Sequence, residues 1–65
     1  MKTGDIVQVY DHPVTFEGFE GEAKLISEYR PNEGDGLSMW VVEFLDDPGQ
    51  EYLRAVYEQE PLTAN

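Results

Sequence analysis

The chain predicts an all-β fold, a small five-stranded meander that closes into a barrel, and three observations lead there. Short runs rich in β-branched and aromatic residues recur between clusters of Gly, Pro, Asn and Asp. Within those runs the apolar positions repeat with a period of two, as a pleated strand imposes. Third, 65 residues without a cysteine have no disulfide or thiolate metal site to stabilise them, which leaves an efficient β-core or a partner.

Taken in order, residues 5–10 form the first strand, with Val7 and Val9 on one face and Ile6, Gln8 and Tyr10 on the other. His12-Pro13 ends it, because proline donates nothing to a ladder. Residues 14–20 read as an irregular loop carrying Phe16 and Phe19, with Gly18 and Gly21 supplying tight bends. Residues 22–29 form the second strand, where Ala23, Leu25, Ser27 and Tyr29 share a face. The turn formers of residues 30–36 separate it from the third strand, residues 38–45, which is apolar at nearly every position. In that strand Trp40, Val42 and Phe44 point inward, and Asp46-Asp47-Pro48-Gly49 makes a tight turn after it.

Residues 50–60 admit two readings. As a strand, Tyr52, Arg54 and Val56 alternate with Leu53 and Ala55, and a helical turn at 57–59 precedes a brief closing strand at Pro61-Leu62. As a helix, Asp47 is the N-cap, Pro48 opens the first turn and Pro61 ends it, giving a three-stranded antiparallel sheet with a C-terminal helix. The strand is preferred, because three strands alone leave a poorly covered sheet with both edges free. Residues 1–62 make one domain, and 63–65 read as a loose tail.

Charge narrows the function classes. Fourteen Asp and Glu against four Lys and Arg give a net charge of −10 and a pI near 4.1. Such a surface repels phosphate backbones and anionic membranes and favours a basic protein partner. Direct nucleic-acid binding is disfavoured, since only Lys2, Lys24, Arg30 and Arg54 could neutralise phosphates. The amino end has no apolar signal segment and no run approaches the roughly 18 apolar residues of a membrane span, so a cytoplasmic protein is expected.

Catalytic chemistry is not written here. His12, the single histidine, has no nucleophile or ligand set arranged around it. Asp46 and Asp47 sit in a wet turn, where neither carboxyl is desolvated as a general acid must be. Around Glu33-Gly34-Asp35-Gly36, setting Gly36 as the sixth residue of an EF-hand loop puts Pro31 and Val42 where acidic ligands belong. No phosphate-binding glycine motif is present. A non-enzyme without catalytic residue, metal or cofactor is the expectation.

The aromatic residues divide into two groups. Trp40, Phe44, Tyr29 and Tyr52 are assigned to the core. Tyr10, Phe16, Phe19 and Tyr57 exceed what a barrel of this size encloses, and they are expected to form a groove rimmed by Glu17, Glu20 and Glu58. Aromatic rings at an acidic rim suit a basic peptide through packing and cation–π attraction.

Gly4-Asp5-Ile6-Val7-Gln8-Val9 resembles the opening strand of SH3-like small barrels, including KOW-type and Tudor-like modules. Glu20-Gly21-Glu22-Ala23, the segment from Trp40 to Asp47, and the segment from Arg54 to Leu62 resemble their second strand, third strand and closing elements. Val9-Tyr10-Asp11-His12-Pro13 and Phe19-Glu20-Gly21-Glu22 are similar to segments of the variable chain of ferredoxin–thioredoxin reductase and related accessory subunits. That resemblance implies a non-catalytic protein-binding module or small accessory subunit. The alternative, drawn from charge density, is an acidic nucleic-acid mimic that inhibits a DNA- or RNA-binding protein.

Overall fold

In the computed structural model, which describes residues 1–60, the chain is all-β and contains no helix among them. Four strands, β1 (Ile6–His12), β2 (Glu17–Arg30), β3 (Leu37–Phe44) and β4 (Tyr52–Tyr57), form one antiparallel sheet in chain order. The expected closing strand at Pro61-Leu62 lies outside the described residues. The helix considered for 50–60 is not formed: β4 pairs with β3 in unbroken register from Leu37↔Tyr57 to Val42↔Tyr52. No helical turn follows β4 among the described residues either. Pairing to β3 gives this segment a ladder and an apolar face to cover, which outweighs its slight intrinsic helix preference.

The sheet curls around a core of Val7 and Val9 from β1, Ala23 and Leu25 from β2, Trp40, Val42 and Phe44 from β3, and Val56 from β4. Tyr52 packs against this core from β4. Trp40 satisfies its one polar atom by donating from Nε1 to Ser38 Oγ at 2.9 Å. The opening Gly4-Asp5 has a local mechanism. Gly4 takes φ 95° and donates to the Leu25 carbonyl, while the buried Asp5 carboxylate accepts from the Lys2 N–H at 2.9 Å.

Two features of β2 depart from the sequence reading. Residues 17–20 belong to the strand and not to a loop, so β1 and β2 form a hairpin closed by residues 13–16. Tyr29 is 64% exposed and is not a core residue. The cause is bulging. β2 carries an extra residue opposite β3 at Ile26 and again at Tyr29, so the strict alternation that put Ala23, Leu25, Ser27 and Tyr29 on one face fails after Leu25.

The two edge strands, β1 and β4, approach each other without a strand ladder between them. Gln59 bridges the seam: its side-chain amide accepts from the Gln8 N–H at 3.0 Å and donates to the Gln8 carbonyl at 3.0 Å. One side chain thus supplies the pair of bonds that a neighbouring strand residue would supply, and it blunts the β1 edge.

Candidate functional site

The β1–β2 hairpin and the end of β4 build the aromatic surface. Between Val9 and Tyr10 the register shifts, because Glu20 is an extra residue on β2. That bulge places Phe19 opposite Tyr10 on the outer face, while Gly21 turns toward the core, where a Cβ would stand 3.3 Å from the Phe44 ring. Beyond it, Asp11 occupies the space above Gly18, and a Cβ there would lie 2.8 Å from Asp11 Cβ.

At the hairpin tip Phe16 has φ 57°, the left-handed region, and it is the one non-glycine residue to do so among those described. For a bulky side chain that conformation costs roughly 1–2 kcal/mol, so contacts must hold it. The Phe16 ring meets the Tyr10 ring edge-on at 5.3 Å and the Tyr57 ring edge-on at 6.2 Å. Tyr10 in turn contacts Phe19 at 5.4 Å. The hairpin tip therefore crosses the β1–β4 seam, and the four rings run as a series, Phe19–Tyr10–Phe16–Tyr57. Phe16 and Phe19 remain 49% and 57% exposed.

The three rim carboxylates have different surroundings. Glu17 is exposed beside Phe16 and accepts from the Thr15 hydroxyl at 2.9 Å. Glu20 is held by Arg54 in a two-point ion pair, Nε to Oε1 at 2.9 Å and Nη2 to Oε2 at 3.1 Å. The same guanidinium lies over the Tyr52 and Phe44 rings, at 5.4 and 5.8 Å from their centroids. Glu58 lines a separate cleft with Glu28, Asn32 and Trp40. Of these three, Glu17 is the one next to Phe16 and forms no ion pair with a described residue, and Asp11 shares a cleft with Tyr10 and Glu20.

A second surface went unread. On the outer face of β3 and β4 three apolar pairs stand directly opposite one another: Leu37 with Tyr57, Met39 with Ala55, and Val41 with Leu53. An antiparallel sheet with one solvated face normally alternates apolar and polar residues. The sign was the nearly continuous apolar run of β3. Two clefts border this ladder and share Leu37. One, about 370 Å³, lies against the hairpin tip at His12, Pro13, Val14, Thr15 and Glu17. The other, about 240 Å³, is lined by Arg30, Pro31, Glu33, Asp35, Met39 and Ala55.

Polar chemistry elsewhere is sparse. His12 is exposed in the hairpin, and no group of three or more potential metal ligands occurs among the described residues. Asp47 accepts from the Tyr52 hydroxyl at 2.7 Å, which raises the phenol pKa above its ordinary value. No described helix is long and apolar enough to cross a membrane. No protein family, curated protein or solved structure matches the chain.

Proposed function

We propose that this protein is a non-catalytic binding module, an SH3-like barrel or accessory subunit, that recognises a basic protein through the Phe19–Tyr10–Phe16–Tyr57 series. The observation that supports this reading most is the state of the hairpin tip. A phenylalanine is kept in a strained backbone conformation while about half of its surface stays in water. Its contacts with Tyr10 and Tyr57 offset that strain, and stored strain of this kind clusters at ligand-contact sites. Exposed rings flanked by carboxylates suit interface centres, where aromatic residues concentrate binding energy. The net charge of −10 steers a cationic partner toward the surface.

The test is a pull-down from the native host at low salt, run in parallel with wild type, Phe19→Ala and Glu17→Gln. Loss of one ring should weaken capture of the specific prey by about 2 kcal/mol or more, chiefly through faster dissociation. The Glu17 change should slow association and flatten its salt dependence. Prey retained by a folded Phe19→Ala protein would remove the aromatic reading. A nucleic-acid-binding enzyme as prey, weakened by many separate carboxylate substitutions and indifferent to Phe19, would favour the nucleic-acid mimic.

A further inference from the structure

We infer that the binding surface extends beyond the rings onto the outer face of β3–β4, and that its occupant is an extended, basic segment of a partner with two apolar anchors. This inference rests on the protein-binding reading above and adds the partner's form. The floor is the ladder of Leu37, Met39 and Ala55, apolar where a solvated sheet face would be polar. Leu37 stands between the two clefts and lines both, so a chain laid across it would place one apolar side chain in each.

Both ends of this track are fixed before anything binds. At one end the Phe16 ring packs on Tyr57 and anchors the hairpin tip that carries Val14. At the other, the Asn32 side-chain oxygen accepts from the N–H groups of Gly34 and Gly36 at 2.8 and 3.0 Å, and Asp35 accepts from Leu37 N at 3.0 Å. A preformed track loses less entropy when an extended chain binds.

Charge selects the occupant. Glu17 borders the first cleft, and Glu33 and Asp35 border the second against a single cation, Arg30. Lysine or arginine side chains flanking the two anchors would meet carboxylates at both ends. A second copy of the chain carries its own net charge of −10, so self-association is opposed where a basic segment is attracted.

The experiment selects from a random dodecapeptide display library on the wild-type domain at moderate ionic strength. Affinities of the selected peptides are then measured for wild type, Val14→Lys, Ala55→Lys and Phe19→Ala. Val14 is exposed and Ala55 lies on the outer face, so neither lysine enters the core, and backbone amide spectra confirm the fold. The inference expects peptides carrying two spaced apolar residues among lysines or arginines. It expects each lysine substitution to weaken them about tenfold or more, since Val14→Lys places a like charge in the first cleft and Ala55→Lys one in the second and in the neighbouring cleft by Tyr10. Peptides that lose affinity only for Phe19→Ala would leave the aromatic reading standing and overturn the two-cleft track. Peptides with one anchor, sensitive to only one of the lysine variants, would overturn it as well. Failure to select any peptide would also overturn it, and the pull-down would still judge the aromatic reading. Sedimentation showing a wild-type dimer that Ala55→Lys dissociates would make the occupant a second copy and refute the basic-segment assignment.

Discussion

At Gly36 two constraints that the sequence records only as a turn former act together. The backbone has φ 83°, and a Cβ there would lie 2.6 Å from the Tyr57 ring. The carbonyl also holds the Glu58 N–H at 2.8 Å, so the backbone has little room to retreat. Gly34, at φ 111° with nothing within 4 Å, carries the conformational constraint alone. Gly34→Ala should therefore cost about 1 kcal/mol. Gly36→Ala should cost more and should also shift the Tyr57 and Phe16 ring resonances, because the ring must move. Thermal unfolding together with aromatic NMR spectra checks both; equal losses, with unmoved rings, would mean that Tyr57 yields freely. The same comparison marks what was legible at this scale. Gly18, Gly21 and Gly36 announce special backbone positions in the sequence. That a particular ring or carboxylate fills the space above each of them depends on which strands meet, and no local pattern encodes it.

The presence of β1, β2 and β3 was legible, β4 stayed open between strand and helix, and strand phase was the least legible property. β1, β3 and β4 keep a period of two, so alternation grouped Val7 with Val9 and Tyr52 with Val56 and pointed Trp40, Val42 and Phe44 inward, but only the structure shows which face of β1 and β4 joins the core. β2 breaks its alternation three times, at Glu20, Ile26 and Tyr29, and each break changes which face the following residues present. Tyr29 was lost from the core for that reason, and Phe19 reached the outer face by the same device. The β3–β4 turn shows how a side chain, and not a backbone pattern, ties an element's start. The Tyr52 hydroxyl donates to Asp47, and this bond, with the Asp47 charge, lifts the phenol pKa above 10.0. A neutral phenol favoured in the folded state adds stability that is present below the unfolded value near pH 10 and lost as pH rises through the folded one. Asp47→Ala should return the Tyr52 titration toward 10.0, and it should remove that part of the alkaline stability loss. Ring-carbon NMR shifts of Tyr52 against pH measure this directly, and an unchanged midpoint would mean that the hydrogen bond does not persist in solution.

At the scale of the whole molecule, charge was legible from composition and its lack of compensation was not. A net charge of −10 could have been organised into ion pairs, yet the single salt bridge among the described residues is Arg54–Glu20. Its partners are 33% and 25% exposed, which places it near the surface pairs worth about 0–1 kcal/mol. Salt screens that one attraction and also screens the mutual repulsion of carboxylates spread over the whole surface, at a Debye length of about 8 Å under physiological conditions. Repulsion has many more contributors than attraction, so its loss dominates. The melting temperature should therefore rise as sodium chloride is added at neutral pH, and it should rise again on mild acidification toward the pI near 4.1. General strengthening of apolar burial by salt would produce the first trend too, and a charge variant separates the causes. Glu22 and Glu51 are exposed and accept no hydrogen bond from another described residue's side chain, so Glu22→Lys with Glu51→Lys reduces the negative charge without touching the core. If repulsion governs stability, the double variant melts higher than wild type at low salt, and its melting temperature depends less steeply on salt. Equal slopes for the two proteins would assign the salt effect to apolar burial, and a wild-type melting temperature that falls with salt would give the Arg54–Glu20 pair more weight than its exposure allows.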